Sequence, residues 1–174
     1  MIFFPGLLSF PVLVQDISTR KFKEKGAKKV VGVDISEAMI PLAKEAENTN
    51  PLGIEYLQKD VTSLGNLDQF DLVTASYLLN HAASGEELLL MCQTIAKNLK
   101  QGGRFVGLNN KIFRDVSIYD QSKKYGVVNS IEGDLKEGWI IKVTFQVPNS
   151  HKTFSVNDYY LSQETYELPE FDIR

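Results

Sequence analysis

The chain is poor in the residues that staple or metallate small proteins. Among 174 residues it has one cysteine, Cys92, and two histidines, His81 and His151. A single cysteine excludes an internal disulfide and a multi-cysteine zinc site, and two histidines far apart in sequence offer no metal-site spacing. Cys92 follows the apolar run Leu88-Leu89-Leu90-Met91, which suits a buried small hydrophobe better than a nucleophile. Positive charge is not in excess: 19 Lys and Arg face 22 Asp and Glu, a net charge of -3. That argues against a nucleic-acid partner, which would call for a basic patch. No apolar run is long enough to span a membrane as a helix. The run from Met1 to Val14 looks superficially like a signal-peptide core, but it lacks a basic leading region and a small-residue cleavage site. Pro5 and Pro11 also interrupt it. The reading is therefore a cytoplasmic protein with no nucleic-acid and no membrane partner.

What is present is a core. Hydrophobic residues make up 43% and charged residues 24%, which suits one packed domain of ordinary size. From Lys21 onward, β-like runs alternate with helical ones. Lys29-Val30-Val31-Gly32-Val33-Asp34 is a β-branched run ending in an acid, and Ser36 offers an N-cap to a helix that carries Ala38, Ile40, Leu42, Ala43 and Ala46. Asn50-Pro51 and Gly53 break that helix. Ile54-Glu55-Tyr56-Leu57-Gln58 alternates with period two and leads to Asp60. Phe70-Asp71-Leu72-Val73-Thr74-Ala75 is a third strand. Glu86 to Leu99 is a helix with Leu89, Cys92, Ile95, Ala96 and Leu99 on one stripe. Gly102-Gly103 reads as its C-cap, and Arg104 to Asn109 as a fourth strand. Strands separated by helices predict a mainly parallel sheet.

Beyond Asn110 the character changes. Ile112 to Val128 is polar and mixed, and no element is assigned to it. Trp139 to Phe145 and Thr153 to Tyr160 are strand-like, and Pro148-Asn149-Ser150 between them predicts an antiparallel hairpin. Ser162 caps a short helix that Pro169 stops.

Ligands of open parallel α/β sheets bind beyond the carboxyl ends of the strands, near the switch point. Asp34, Asp60 and the Ala75-Ser76-Tyr77 corner fall at such ends. An acid ending the second strand can accept two hydrogen bonds from ribose hydroxyls. Locally, Asp34 could equally serve to cap the helix begun at Ser36.

Four segments, in order and at matching spacing, resemble class I S-adenosylmethionine-dependent methyltransferases. Val31-Gly32-Val33-Asp34-Ile35-Ser36-Glu37-Ala38-Met39 is similar to the segment after that family's glycine-rich loop. Gln58-Lys59-Asp60-Val61 resembles its adenine-contacting segment, and Phe70 to Ala75 its fourth-motif strand. Leu99-Lys100-Gln101-Gly102-Gly103-Arg104-Phe105 is similar to the turn before its fifth strand. The resemblance runs from about Thr19 to Glu167. Tyr77-Leu78-Leu79-Asn80-His81 and Asn157-Asp158-Tyr159-Tyr160-Leu161-Ser162 look most like the toxoflavin-synthase-like branch, which methylates small molecules.

The resemblance implies an α/β fold: a Rossmann-like three-layer sandwich with a mainly parallel sheet and a C-terminal antiparallel hairpin. It implies S-adenosylmethionine as cofactor and a small-molecule methyl acceptor as partner. It implies that Asp34 binds the ribose and that Ile35 and Met39 pack near the adenine. Asp60 would accept from the adenine amino group and the Val61 N–H would donate to a ring nitrogen. Ala75, Ser76 and Tyr77 would line the methionine end, while Asn80, His81, Asn109 and Tyr160 would face the substrate. His81 could accept the nucleophile's proton, since a histidine titrates near neutrality.

The chain departs from the pattern at both ends. The family's first strand runs into a loop of G-x-G-x-G type; here no glycine lies between Gly6 and Gly26. Residues 1–18 read as an atypical segment in which Val12 to Val14 could fill the first-strand slot, residues 19–167 as the methyltransferase core, and residues 168–174 as an atypical tail. The fold is expected to be incomplete at both ends, with impaired activity, a poorly anchored hairpin, and self-association through open sheet edges. Two other readings stay open: a catalytically inactive methyltransferase-like binding or regulatory chain, and a dehydrogenase fragment. The absent G-x-G-x-x-G speaks against the latter.

Overall fold

The protein is described by a computed structural model covering residues 2–5, 17–110, 122–131, 135–146 and 151–168. Its larger sheet has five strands in the order β3-β2-β1-β4-β5, all parallel. These are β1 (Ile2–Pro5), β2 (Val30–Asp34), β3 (Ile54–Gln58), β4 (Phe70–Ser76) and β5 (Leu99–Leu108). Every residue of β2 is buried, as expected of a strand covered on both faces, where β-branched residues replace alternation. Successive side chains still point to opposite faces. Val30 packs with Ile40 and Ala43 of α2 (Met39–Thr49) and with Phe22 of α1 (Ile17–Glu24). Val31 and Val33 pack with Leu88, Met91 and Ile95 of α3 (Gly85–Lys97). The result is three layers, helix–sheet–helix.

The slot at the centre of the sheet is taken by Ile2–Pro5, which pairs with β2 on one side and β4 on the other. Val12 to Val14, the expected occupants, lie outside the described residues. The helix anticipated at Glu86–Leu99 is shifted and rotated. Ser84 is its N-cap, accepting from the Glu87 N–H, while the Glu87 carboxylate accepts from the Ala83 N–H at 2.8 Å. Its buried stripe is Leu88, Met91, Cys92, Thr94 and Ile95, and Ala96 is exposed. In the run Leu88-Leu89-Leu90-Met91 the periodicity is degenerate, so only packing selects the face. Asn98, not the glycine pair, follows the helix, and Leu99 already belongs to β5. Gly102 and Gly103 instead let β5 bulge: Phe70 is opposite Leu99, yet Leu72 is opposite Arg104. Gly102 has φ +76°, and a Cβ on Gly103 would lie 3.0 Å from the Phe70 carbonyl oxygen.

The smaller sheet is antiparallel, ordered β6-β7-β8. The anticipated hairpin is β7 (Trp139–Gln146) with β8 (Thr153–Tyr160); its expected turn at Pro148 to Ser150 lies outside the described residues. One feature differs from expectation: a third strand, β6 (Val127–Ile131), arises at the end of the unassigned stretch and joins the hairpin in a sheet of its own. Ile141, Val143, Phe145, Val156 and Tyr160 are buried on one face, whereas Ile140, Lys142 and Ser155 point outward. Phe145 and Phe154, directly opposite in register, stack with centroids 5.0 Å apart.

The hairpin is not poorly anchored. Tyr166, just past β8, donates to the Leu79 carbonyl at 3.1 Å. Gly138 approaches the chain before α3 so closely that a Cβ would lie 2.7 Å from the Ala83 oxygen. The anchor is therefore the segment that follows β4, and not a neighbouring strand.

Candidate functional site

The chain runs β1, β2, β3 toward one edge and β4, β5 toward the other, so the crevice of the sheet opens between the carboxyl ends of β1 and β4. Pro5 pairs with Ser76 at that point. Asp34 ends β2 beside it, and Gln58 of β3 is its partner in register. Asp34 and Asp60, the latter two residues past Gln58, therefore sit at the same end of the sheet.

Asp34 is buried, 6% exposed, and its Oδ1 accepts from the Ser36 N–H at 2.9 Å. That contact fixes the carboxylate in one orientation. Ser36, expected as the N-cap, accepts at Oγ from the Met39 N–H at 3.3 Å, but α2 begins only at Met39, with Ala38 at the N-cap and no side-chain cap of its own. Ile35, immediately after the acid, is 54% exposed. An exposed isoleucine beside a buried carboxylate presents an apolar surface and an acceptor together. Asp60 is half-buried; its Oδ1 accepts from both the N–H and the hydroxyl of Thr62, each at 2.8 Å. It caps the 3-10 turn Val61–Ser63. The Val61 side chain is buried in the main core, while its N–H, as the first of the turn, has no partner within it.

At the end of β4, Ala75 is buried and Ser76 half-buried. Tyr77 has φ +60°, the one non-glycine residue in the left-handed region among those described. A non-glycine residue there costs of order 1 kcal/mol or more, and such residues cluster at functional sites. The strained residue reverses the chain into the 3-10 turn Leu78–His81. There Asn80, only 1% exposed, donates to the Asn110 carbonyl at 3.1 Å and accepts from the Asn110 N–H at 2.9 Å. This reciprocal pair ties the end of β4 to the end of β5, so the Asn80 amide braces the site from behind. Asn109, just before, is exposed.

His81 Nδ1 lies 3.1 Å from the Asn157 carbonyl and 3.6 Å from Asp158 Oδ1. Asp158 is 2% exposed, and its Oδ2 accepts from the Asn110 side chain at 3.4 Å. Burial pushes the Asp158 carboxyl above its usual range, against the opposing pull of His81 and Asn110. Burial first, and then the nearby Asp158 charge, raise the Tyr166 phenol to about 12. Burial likewise lifts the Cys92 thiol to about 11, which keeps it unreactive at neutral pH.

The structure thus brings Asp34, Ile35, Asp60 and Val61 together on one side of the crevice, with Met39 half-buried at the start of α2. It places Ser76, Tyr77 and His81 on the other. Tyr160 is separate, buried in the core of the antiparallel sheet. Asn110 and Asp158 were missed by sequence reasoning. A buried acid inside a β-alternating run, at a core-facing position of Asn157-Asp158-Tyr159-Tyr160, was the available signal. Among the described residues no cluster of His, Cys, Asp and Glu could hold a metal ion.

Fold and strand-end acids define an open α/β protein whose candidate site lies at the switch point of a five-stranded parallel sheet. The chain belongs to the methyltransferase-domain family, whose model matches residues 15–107, more than half of its length. It is 27% identical over 121 residues to a ribosomal protein L11 methyltransferase of Dictyoglomus thermophilum, covering 70% of this chain and 38% of that protein. It is 31% identical over 87 residues to a ubiquinone biosynthesis O-methyltransferase of Coxiella burnetii, covering 49% of this chain and 36% of that protein. The chain thus spans less than two-fifths of the length of these curated relatives. Its fold is similar to that of an S-adenosylmethionine-dependent methyltransferase of Clostridium acetobutylicum, with TM-score 0.64 at 18% identity, covering 95% of this chain and 69% of the other. Among the described residues no helix is long and apolar enough to cross a membrane.

Proposed function

We propose that this chain is the core of a class I S-adenosylmethionine-dependent methyltransferase acting on a small molecule in the cytoplasm. The observation that carries the reading is the placement of Asp34 and Asp60 at adjacent strand ends, with His81 behind the end of β4. The residues present fit the adenosine half of the cofactor. The fixed, buried Asp34 carboxylate suits the ribose hydroxyls, and exposed Ile35 with Met39 suits an apolar ring face. Asp60 and the Val61 N–H form an acceptor and a donor side by side, the pattern that an adenine edge complements. Ala75, Ser76 and Tyr77 border the methionine end, and Asn109 lies on the acceptor's side. Tyr160 has less support in that role, because it is buried among β7 and β8 side chains.

Bound there, S-adenosylmethionine supplies a methyl group already activated by its sulfonium. The protein's part is orientation: holding the acceptor in line converts a bimolecular encounter into a near-unimolecular step. We assign the acceptor's proton to His81, whose buried Nε2 has no hydrogen-bond partner among the described residues.

The connection from β1 to α1 is the weak point. Backbone N–H groups there would meet the methionine half, yet residues 6–16, between β1 and α1, carry a single glycine, Gly6, in place of a G-x-G-x-G loop. Losing several charge-assisted hydrogen bonds, at about 1.5–3 kcal/mol each, weakens binding by orders of magnitude. This favours a second reading, a methyltransferase-like chain that binds without catalysing. Isothermal titration with S-adenosylmethionine tests both. Very weak binding with undetectable methyl transfer is expected, and a micromolar dissociation constant would overturn the impairment. Grafting an acid-x-G-x-G-x-G segment before Thr19 should restore binding, and Asp34→Asn should then lower it about 10- to 100-fold. A grafted chain whose binding is unchanged by that substitution refutes the site. The outer edge of β5, with Val106 58% and Leu108 54% exposed, supports self-association, which sedimentation at rising concentration would detect.

A further inference from the structure

We propose that Asp158, carried by the antiparallel sheet, is a positioning residue that holds the His81 ring with its proton on Nδ1 and leaves Nε2 as the proton acceptor. The inference rests on the reading above, in which His81 is the base.

The geometry is specific. The Asn157 carbonyl can only accept, so the ring nitrogen 3.1 Å away must carry a hydrogen. Asp158 Oδ1 lies 3.6 Å from that same nitrogen, beyond hydrogen-bonding distance and with no hydrogen-bond partner of its own among the described residues, so it acts on the ring as a nearby charge. The carbonyl and this charge together disfavour the alternative tautomer, whose lone pair would point at both. His81 Nε2 is itself buried and has no hydrogen-bond partner among the described residues. A buried bare nitrogen costs free energy unless something else uses it.

Asp158 is in turn held in place. Asn110 donates to its Oδ2, and Asn110 is gripped through its backbone by Asn80, the neighbour of His81. The chain of contacts Asn80–Asn110–Asp158–His81 closes on itself and joins the ends of β4 and β5 to β8. No lysine or arginine pairs with Asp158 among the described residues. The positive charge that would balance its carboxylate is the imidazolium formed when His81 takes up a proton. In a methyl transfer, S-adenosylmethionine would supply the methyl group and depart with the electrons of the broken carbon–sulfur bond, and His81 would take the acceptor's proton at Nε2. The resulting imidazolium then faces the Asp158 carboxylate.

Long-range proton–nitrogen correlation spectra show directly which ring nitrogen carries the proton. With two histidines in the chain, and His151 exposed, the second ring is an internal reference. At mildly alkaline pH the wild-type His81 ring is expected in the Nδ1–H form. In Asp158→Asn, which preserves shape, the Nδ1–H share should fall measurably toward the Nε2–H form that free imidazole favours in water, with the Asn157 carbonyl still holding the remainder, while His151 is unchanged. Asn110→Ala, which only loosens Asp158, should move it the same way by less, and serves if the first variant does not fold. A folded variant with the wild-type pattern, or a wild-type ring in the Nε2–H form, overturns the proposal. None of these spectra requires cofactor, so a grafted chain whose binding ignores Asp34→Asn would refute the functional reading and leave this result standing.

Discussion

The two sheets obey different rules. In the parallel sheet β2 is buried along its whole length and draws its neighbours from helices on both faces. In the antiparallel sheet burial alternates, with Ile141, Val143 and Phe145 in and Ile140, Lys142 and Gln146 out. One sheet is a core; the other is a wall with a single buried face. The contacts that bridge them gather at the segment following β4, where the candidate site lies. The comparison teaches that the parallel sheet provides the strand-end acids, whereas the placement of His81 depends on both sheets.

The sharpest way to break the parallel sheet without touching the other is Leu88→Ala. Leu88 is fully buried against β2 and β4 side chains, and a deletion of that kind costs about 3–4 kcal/mol, measurable by urea denaturation. Val143→Ala in the antiparallel sheet removes less volume and should cost about 2 kcal/mol. Equal losses would erase the distinction between core and wall.

Asn98→Ala should follow closely. Asn98 is wholly buried; its Oδ1 accepts from the Leu67 N–H, and its Nδ2 donates to the Gly65 and Thr94 carbonyls. Orphaning those groups costs about 3 kcal/mol. A loss under about 1 kcal/mol would mean that water or a shifted loop replaces them.

Asn80→Ala attacks the junction. It should cost about 2 kcal/mol and lower amide protection in β8 more than in β2, as read by hydrogen exchange. Uniform loss across both sheets would show that they unfold as one unit.

A smaller effect comes from Glu47. Burial alone would raise its pKa, but the N–H groups of Ile54, Leu52 and Gly53 and the charge of Arg20 outweigh that and lower it. A carboxyl with a depressed folded pKa contributes stability above its unfolded value, about 4.3, and loses it as pH falls through the folded value. Glu47→Gln should therefore cost about 1–2 kcal/mol at pH 7, and the gap from wild type should close below about pH 4. A gap that persists at lower pH would show that packing is the cause. Least of all, Lys29→Ala removes an exposed ion pair with Asp68 and should leave the melting temperature unchanged.

Much of this was legible beforehand. Strands ending at Asp34 and Gln58, the β4 run from Phe70 and the β7–β8 hairpin follow from β-branched composition and period-two alternation. The acids at their ends follow from the topology. The buried stripe of α3 was misread because four consecutive apolar residues fit two faces equally. Strand β6 was missed because Val127-Val128-Asn129-Ser130-Ile131 alternates too weakly until β7 supplies a partner.

By itself, then, the sequence determined the class of fold, the positions of Asp34 and Asp60 and the apolar run of β2, since local propensity and pattern suffice for these. Only the tertiary structure decided that Ile2–Pro5 occupies the central slot, that Asn80 grips Asn110, and that His81 meets Asn157 and Asp158. His81 and Asn157 are 76 positions apart, and no local signal encodes a contact of that separation. It exists because a turn begun by a strained tyrosine and a strand from a second sheet are packed against one another.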